Sequence, residues 1–263
     1  MPARERGSLV VVGTGYFVGG QMTAEARAHI EGAERFFHLV GDPVTRRWIE
    51  SLHPRAESLA DSYAPGKDRA ETYREIVERL LAPVRRGEEV CAAFYGHPGV
   101  GAIPGHAAIR QARLEGHEAR MLPGVSAEDC LFADLGLDPL AHGCQSFEAT
   151  RFLVHRHRPD PTVPLILWQI GVIGIAGYRE EPLWNRDGLA VLAEVLSGWY
   201  PPGHECVVYE AAMLPVCEPV ILRVPLSKLP AAAVTTASTL YVPPTGEAPV
   251  DPTMAARLAR GTA

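Results

Sequence analysis

The sequence contains no apolar run that approaches the about 20 consecutive apolar residues needed to span a lipid bilayer. It also lacks the apolar region of a signal peptide, because the amino terminus Met-Pro-Ala-Arg-Glu-Arg leads directly into one short apolar strand. Neither secretion nor a membrane partner is expected from these features. We therefore expect a cytoplasmic protein.

Cysteines are few, and their spacing does not match a metal or redox site. The five cysteines are scattered, without a Cys-x-x-Cys pair, at Cys91, Cys130, Cys144, Cys206 and Cys217. The ten histidines include no His-x-x-x-His pair with a glutamate, and there is no Gly-x-Ser-x-Gly sequence. We predict reduced, mostly buried thiols, no bound metal ion and no serine-hydrolase chemistry.

The chain also lacks an excess of basic residues. It has 25 Lys and Arg against 31 Asp and Glu, a formal net charge of −6. Proteins that bind nucleic acid by neutralising phosphates usually carry a basic face, so nucleic acid is not expected as a partner. The densest basic stretch is RFLVHRHR at 151–158, which is either a local basic patch or, more simply, a solvated connector after a helix.

Apolar content, in contrast, is ample: 47% of the 263 residues are hydrophobic and 21% are charged. A chain of this length can form two domains of roughly 100–150 residues each. In its first half, apolar runs rich in β-branched and aromatic residues alternate with segments of helical periodicity, which is typical of a parallel sheet. The predicted strands are 9–12, 36–40, 90–95 and 119–122, and the predicted helices are 23–35, 43–52, 68–84 and 104–115.

The second half has hairpin-like spacing and fewer helices, which indicates a mixed sheet. Its predicted strands are 165–170, 206–211, 220–224 and 239–242, with one long helix at 185–199 and a short terminal helix at 252–260. We predict an α/β protein with an N-terminal parallel-sheet domain and a C-terminal mixed-sheet domain. The predicted limits are 1–123 and 124–245, followed by a tail at 246–263.

Two glycine-rich loops follow strands of the predicted parallel sheet. The first contains Gly13 and Gly15 and leads to a helix capped by Thr23. A dinucleotide-binding fold is not favoured, because Val18 replaces its third glycine and the helix starts several residues later. The second loop, Tyr95-Gly96-His97-Pro98-Gly99-Val100, lies just past a strand, where open α/β folds bind ligands. Taken alone, the first loop is equally consistent with an ordinary packing turn, and for the second loop such a turn is the less favoured alternative.

A third motif, Leu-Pro-Gly-Val-Ser-Ala-Glu-Asp at 122–129, marks the start of a helix. Ser126 with Asp129 three residues later is typical of a capping box. Amide groups at a helix start that have no cap can hold a polar ligand group. A capping box by itself, however, is only weak support for a binding site.

These motifs occur in a defined order, with Gly41-Asp42-Pro43 lying between the two glycine-rich loops. In this order they resemble the tetrapyrrole-methylase superfamily. More narrowly, FYGHPGV and the run 120–139 resemble the borosin peptide N-methyltransferases, and the similarity extends from Gly7 to about Pro244.

The resemblance implies that S-adenosylmethionine binds between the two domains and leaves as S-adenosylhomocysteine. The residues implied in cofactor binding are Gly13, Gly15, Tyr95, Gly96, His97, Val100, Ser126, Ala127, Gln169, Ala212, Met213 and Thr239.

A fourth segment, 63–73, carries the chemistry expected on the acceptor. Asp68 is a predicted helix N-cap, so Arg69 and Tyr73, four residues apart, share one helix face. The resemblance implies that Tyr63, Arg69 and Tyr73 activate a backbone amide as an imidate. Arg69 and Tyr73 would polarise the carbonyl, and Tyr63 would accept the N–H proton. In the alternative, Tyr73 only heads the apolar stripe of the helix.

Two departures from the fungal members of this family concern the acceptor. Ala60 replaces a further tyrosine, and the chain ends soon after its last strand, whereas the fungal proteins continue into their own acceptor peptide. We therefore expect a separate precursor peptide that is methylated in trans, and a homodimer, with a heterotetramer with the precursor as an open alternative. The competing interpretations are a tetrapyrrole or other small-molecule methyltransferase of the same fold and a non-catalytic peptide-binding protein.

Overall fold

Five strands in the first part of the chain form one parallel sheet. The computed structural model describes residues 7–175, 177 and 185–259. The strands are β1 (Ser8–Gly13), β2 (Arg35–Leu39), β3 (Ala56–Ser58), β4 (Glu89–Phe94) and β5 (Glu118–Met121). Their order is β3-β2-β4-β1-β5, and all neighbouring strands are parallel. The predicted parallel sheet is confirmed.

Four of the five described helices that accompany this sheet begin at side-chain caps. The five helices are α1 (Ala24–Gly32), α2 (Pro43–Glu50), α3 (Arg69–Arg85), α4 (Ile103–Leu114) and α5 (Ala127–Leu135), of which α4 is the exception, and a 3-10 turn spans Ala60–Ser62. The side chains of Thr23, Asp42, Asp68 and Ser126 each accept a hydrogen bond from a first-turn backbone N–H. Such caps satisfy N–H groups that lack a helical partner, so local sequence sets where these helices start.

The core of this part of the chain lies on both faces of the sheet. Val11 and Phe37 pack with buried residues of α3 and α4, whereas Val12 and Phe36 pack with residues of α1 and α2. Neighbouring residues of a strand point to opposite faces, which explains why β1 is an uninterrupted apolar run. Helix α3 is held against the sheet by fully buried side chains at Ile76, Leu80 and Leu81.

A second sheet of five strands is mixed, as predicted. The strands are β6 (Gln145–Glu148), β7 (Leu165–Trp168), β8 (Glu205–Glu210), β9 (Val220–Pro225) and β10 (Thr239–Val242), in the order β6-β7-β10-β8-β9. β6 is parallel to β7, and β10 is antiparallel to both β7 and β8.

The helices of this second part are shorter on average. They are α6 (Pro139–His142), α7 (Ala149–Val154), α8 (Arg186–Leu196) and α9 (Pro252–Ala259), with 3-10 turns at Ile170–Val172 and Leu226–Ala231. Leu192 and Leu196 of α8 share a buried cluster with Phe152 of α7 and Leu165 of β7. Across the described helices of the whole chain, none combines the length and apolar character that crossing a membrane requires.

Sequence patterning does not predict β3, β6, α6 or α7. Each of these elements has six residues or fewer, which is too short to show a clear period. The segment 151–158, predicted most simply as a connector, is instead helical as far as Val154. The predicted helix 185–199 starts at Arg186, with Asn185 as its N-cap, and ends at Leu196.

The described residues form two compact units that do not follow linear limits at 123 and 245. One contains 7–137, Ile175, Gly177 and Ala211–Val220, and the other contains 138–174, 185–210 and 221–259. The stretch Ala211–Val220 returns to the first unit, where the Met213 carbonyl accepts a hydrogen bond from the Val18 N–H at 3.0 Å. A linear reading of the sequence does not reveal such a return.

Cys91, Cys130, Cys206 and Cys217 are free thiols, and the first three of them are buried, as predicted for most of the cysteines. Burial disfavours the charged thiolate and raises the pKa of the Cys91 thiol. It also raises the pKa of Cys206 to about 12. These two thiols therefore remain protonated at neutral pH.

Candidate active site

Three loops meet at the carboxyl ends of β1, β4 and β5. A Cβ atom built on Gly13 would lie 2.3 Å from the Gly96 carbonyl oxygen and 3.3 Å from Gly124 Cα. Gly15 and Gly96 exchange two backbone hydrogen bonds, of 3.3 Å from the Gly15 N–H and 2.9 Å from the Gly96 N–H. The predicted glycine-rich motifs are thus brought into one glycine cluster, Gly13, Gly15, Gly96 and Gly124. The missing side chain at Gly13 is required for the loops to pack.

Side chains beside the glycine cluster are exposed although they are apolar or aromatic. Tyr95 is 52% exposed, Val100 is 51% exposed and Met213 is 44% exposed. Met213 is tied to the first loop through Val18, and the Tyr95 ring meets the Tyr16 ring edge-on at 6.0 Å. Ligand sites are mostly lined by such side chains with a few polar groups. These residues of the first unit therefore fit a ligand with aromatic, apolar and polar parts, such as S-adenosylmethionine.

Gln21 holds the first glycine-rich loop in shape and was not identified from the sequence. Its Oε1 accepts hydrogen bonds from the N–H groups of Tyr16 at 2.8 Å and Phe17 at 2.9 Å. Its Nε2 donates to Cys130 Sγ of α5 at 3.4 Å. The partner residue is more than a hundred positions away, so no local motif signals this contact.

Tyr95 connects the second loop to the predicted acceptor residues. The pKa of Tyr95 is raised, mainly because its hydroxyl is desolvated and further because of Tyr73, whereas the positive charge of Arg69 acts in the opposite direction. Since the residue as a whole is 52% exposed, solvent screens part of this effect. Arg69 and Tyr73 are therefore within electrostatic range of the Tyr95 hydroxyl, which relates the start of α3 to the second loop.

Arg69 and Tyr73 lie on the first turn and a half of α3, and both are half-buried. Asp68 caps the helix by accepting the Ala70 N–H at 2.6 Å. Within the described part of the chain, the Arg69 guanidinium forms no hydrogen bond or ion pair. The buried stripe of α3 includes Ile76 and Leu80, whereas Tyr73 lies outside that cluster.

The loop that carries Tyr63 is fastened to α3 by two basic side chains. Arg79 donates to Ser58 O at 2.9 Å and to Ser62 Oγ at 2.9 Å, and it pairs with Asp61 at 2.5 Å. Lys67 donates to Ser62 O at 2.9 Å and forms an ion pair with Glu75. The bond from Lys67 is the main reason that the pKa of Glu75 is lowered.

These contacts fix the backbone on both sides of Tyr63. The Tyr63 N–H donates to Ala60 O at 3.1 Å, and the ring packs partly on the core beneath α3. Neither Arg79 nor the Lys67–Glu75 pair was predicted as part of the site. The sequence contains no signal for them, because they depend on how the loop crosses the helix.

His97 and Val100 belong to the turn of the second loop. The Nδ1 atom of His97 accepts the Gly99 N–H at 2.9 Å, and the His97 carbonyl accepts the Val100 N–H at 3.1 Å. The imidazole thus braces its own turn through one nitrogen. A direct role of His97 toward the cofactor stays a prediction.

Ser126 forms the predicted capping box with Asp129. Its hydroxyl accepts the Asp129 N–H at 3.2 Å, and its own N–H and hydroxyl both donate to Asp129 Oδ2 at 2.7 Å. The Ser126 amide is therefore not an uncapped group that awaits a ligand. Ala127 is the first residue of α5, and its place beside the cofactor stays a prediction.

Replacing Ser126 by Ala is expected to lower the free energy of unfolding by about 1 kcal/mol, because the capping hydroxyl is lost. Urea denaturation measures this change, and calorimetry is expected to find S-adenosylmethionine affinity within about threefold of the parent, less than 1 kcal/mol. Thr23→Ala, which removes the cap of α1, is the matched control and should behave in the same way. A larger loss of affinity at unchanged stability would show that Ser126 contacts the cofactor directly.

Gln169 and Thr239, also predicted to bind the cofactor, lie in the second unit. Gln169 follows β7 and adopts a left-handed conformation, with φ 60° and ψ 38°, which costs a non-glycine residue about 1 kcal/mol or more. The next residue, Ile170, donates its N–H to Ser238 O at 3.1 Å, which brings this turn beside the start of β10. Thr239 is 2% exposed. The two predicted residues are thus on adjacent backbone segments.

Comparison with known protein families agrees with these features. The family model described as Tetrapyrrole (Corrin/Porphyrin) Methylases matches residues 8–229 of the chain. The fold is similar to uroporphyrin-III-C-methyltransferase from Thermus thermophilus, with a TM-score of 0.63 and 21% identity, covering 90% of this chain and 92% of that one. It is also similar to diphthine synthase, with a TM-score of 0.62 and 14% identity, covering 97% and 96%. At these identities the similarity shows the shared fold.

Curated relatives from fungi are more similar in sequence. The chain is 43% identical over 242 residues to the methyltransferase/ribosomally synthesized cyclic peptide dendrothelin A precursor of Dendrothele bispora, covering 90% of this chain and 58% of that protein. It is 41% identical to the omphalotin A precursor of Omphalotus olearius, again covering 90% and 58%. It is 40% identical to the type I borosin cyclic peptide precursor of Serendipita vermifera, covering 97% and 63%. The chain therefore spans less than two thirds of the length of each of these relatives.

Proposed function

Because the chain belongs to the tetrapyrrole (corrin/porphyrin) methylase family and is a methyltransferase, we propose that it methylates backbone amide nitrogens of a peptide with S-adenosylmethionine as the donor. Support comes from relatives at about 40% identity that are named as precursors of ribosomally synthesized cyclic peptides. The observation that carries the proposal is the placement of Arg69 and Tyr73 near the Tyr95 hydroxyl. This placement joins a pair of potential amide-activating groups to a loop predicted to bind the cofactor.

The cofactor would be held by the backbone of the glycine cluster together with Tyr95, Val100 and Met213. When bound, S-adenosylmethionine supplies an electrophilic methyl group on its sulfonium. The protein must then supply an acceptor nitrogen that is held in line and made nucleophilic. Holding two reactants in the right geometry accounts for a large part of the rate enhancement in such transfers.

The amide nitrogen needs activation because it shares its lone pair with the carbonyl. We assign Arg69 and Tyr73 to donate hydrogen bonds to the carbonyl oxygen, where negative charge develops in an imidate-like state. A guanidinium stays charged in proteins, and the side chain of Arg69 is half-buried without an ion-pair partner in the described chain. Tyr63, whose loop is held by the Arg79 and Lys67 contacts, is assigned to accept the N–H proton as its phenolate, after its own hydroxyl proton has passed to solvent.

Tyr95 is not assigned as the base. Its pKa is raised above the ordinary tyrosine value, so the phenolate that a base requires forms less readily at Tyr95 than at an unperturbed tyrosine, and Tyr95 is left as a hydrogen-bond donor or acceptor. Removing a proton from the acceptor amide therefore falls to another group. Tyr95, in the second glycine-rich loop, and Tyr63, in the loop that precedes α3, are thus assigned different roles.

The source of the peptide and the assembly of the protein stay predictions. We propose that the acceptor is a separate precursor peptide methylated in trans, and that the protein forms a homodimer. Sedimentation equilibrium tests the second point directly. For the first, a complex that survives size-exclusion chromatography with a co-expressed short peptide is expected.

Co-expression of the protein with the short reading frames that flank its gene tests the proposed activity. We expect Val-, Ile- or Ala-rich peptide segments to gain mass in steps of one methyl group, and fragment spectra to place each group on a backbone nitrogen. Uroporphyrinogen III is offered to the purified protein in parallel. Methylation of the tetrapyrrole, with none of the peptides modified, would identify the protein as a small-molecule methyltransferase instead.

A further inference from the structure

The second unit contains a basic pocket that neither the proposed reaction nor its cofactor uses. It is a cavity of about 580 Å³, formed by the end of α7, the turn that follows it and the end of α8. Its polar lining consists of Arg156, His157 and Arg158, and its apolar lining includes Leu153, Val195 and Trp199. A volume of this size is within the ordinary range for ligand sites, about 300–1,000 Å³.

The backbone of this pocket is held in a conformation that disfavours the residue present. Helix α7 ends in a paired turn in which the Arg156 N–H donates to Leu153 O and the His157 N–H donates to Phe152 O, both at 3.1 Å. Arg156 is the left-handed residue of this turn, with φ 52°. Glycine is usual at such a position because any Cβ is strained there. This position is instead occupied by Arg156, whose side chain lines the pocket.

The aromatic residues hold the turn against the core of the unit. The His157 ring stacks on Phe147, with ring centroids 4.6 Å apart, and lies 6.3 Å from Phe152. Phe152 is fully buried, and Trp199 packs partly on the same core. These ring contacts hold the backbone of the turn, and Arg156 and Arg158 on either side of His157 are exposed to solvent.

Among the described residues, no ion pair neutralises the arginines of the pocket. None of the described residues that line it is acidic, and across the described chain the guanidinium groups of Arg156 and Arg158 form no ion pair. The acids that flank this segment before and after it in the chain, Glu148 and Asp160, are engaged elsewhere. Glu148 caps the start of α7 through the Thr150 and Arg151 N–H groups, and Asp160 accepts hydrogen bonds from Thr162. A positive site thus stands out on a chain whose formal net charge is −6.

We propose that the basic pocket binds an acidic peptide segment, with carboxylates on Arg156 and Arg158 and an apolar side chain against Leu153, Val195 and Trp199. Carboxylates suit paired guanidinium groups, and the apolar lining suits a side chain such as leucine. The proposal rests on the proposed function, since a peptide substrate that comes from a separate chain requires a docking site besides the one where it reacts. A long polyanion is less favoured, because the acidic remainder of the chain would repel it.

Binding of a short synthetic peptide rich in Glu, Asp and Leu, measured by calorimetry without S-adenosylmethionine, tests the proposal on the full chain. We expect the matched peptide with Gln and Asn in place of the acids to bind at least about tenfold more weakly, as expected for loss of charged hydrogen bonds. Arg156→Gly is expected to lose affinity to a similar extent. Because glycine is favoured at this backbone position, its melting temperature should equal or exceed that of the parent.

Two controls separate charge from structure. Arg156→Lys keeps the charge and should retain part of the affinity, and Arg110→Ala, which removes an exposed arginine of α4, should bind the acidic peptide like the parent. Equal binding of the acidic and amide peptides, or full affinity in Arg156→Gly, would overturn the proposal. Tighter binding of a short oligothymidylate in competition would overturn it in favour of nucleic acid.

The docking site and the proposed reaction can fail separately. If the acidic peptide binds through Arg156 but no flanking-gene peptide is methylated, the proposed function is wrong while the pocket is real. If peptides are methylated and Arg156→Gly changes neither their KM nor their binding, the reaction stands and the docking site is wrong.

Discussion

Arg69→Ala and Tyr73→Phe are each expected to reduce peptide N-methylation by about a hundredfold or more while leaving S-adenosylmethionine affinity within about threefold. Loss of one donor aimed at developing negative charge typically costs about 10²–10³ in rate. Both residues lie on α3, whereas the glycine cluster is formed by the loops after β1, β4 and β5, so cofactor binding is expected to be retained. Single-turnover methylation followed by mass spectrometry gives the rate, and calorimetry gives the cofactor affinity.

Arg74→Ala is the matched control for Arg69→Ala, because Arg74 is an exposed arginine on the same helix. It should methylate at the parent rate. A second measurement reports on the site itself: because Arg69 lowers the pKa of Tyr95, Arg69→Ala should raise that pKa further, which a nuclear magnetic resonance titration of labelled tyrosine follows. If Arg69→Ala instead lost affinity for S-adenosylmethionine while the pKa of Tyr95 stayed as in the parent, Arg69 would be assigned to the structure of the cofactor site.

Gly13→Ala is expected to destabilise the first unit and to lower cofactor affinity more than tenfold. The added Cβ would lie 2.3 Å from the Gly96 carbonyl oxygen and 2.8 Å from Pro98 Cδ, and neither is the end of a flexible side chain. Overpacking of this kind costs about 1–3 kcal/mol, and occasionally more. The loops after β1 and β4 must separate to admit the methyl group, which displaces the backbone proposed to hold S-adenosylmethionine. Urea denaturation and calorimetry measure the two effects.

Gly32→Ala provides the comparison for this substitution. Gly32 ends α1, and a Cβ there meets no atom within 4 Å. Alanine is favoured over glycine in helices by roughly 0.5–1 kcal/mol, so this variant should be as stable as the parent or more stable, with unchanged affinity. If Gly13→Ala bound the cofactor as well as Gly32→Ala, the glycine cluster would have no part in the cofactor site.

The local features of the fold were predictable because each depends on residues that are close in the chain. Thr23, Asp68 and Ser126 cap helices through N–H groups two or three positions away. The apolar runs of β1 and β4 predict strands that are buried on both faces. The glycine-rich loops could likewise be predicted as candidate ligand-binding loops from their own residues.

The site required contacts that local rules do not contain. Gln21 reaches Cys130, Arg79 holds the backbone at Ser58, and Val18 donates to Met213. Each joins residues brought together only by the order of strands in the sheet and by the return of Ala211–Val220 to the first unit. The influence of Arg69 on Tyr95 likewise depends on tertiary structure, because α3 packs against β4, the strand that Tyr95 follows.

By itself, the sequence determined the caps, the buried strands, the glycine-rich loops and the resemblance that these motifs carry. The tertiary structure alone decided that the loops close into one glycine cluster, that Arg69 and Tyr73 come within electrostatic range of Tyr95, and that the segment 151–158 contributes to a basic pocket. The physical reason is the distance along the chain over which each kind of interaction acts. Capping and periodicity act over a few residues, whereas a site is built from side chains whose separation in space is set by the packing of whole elements.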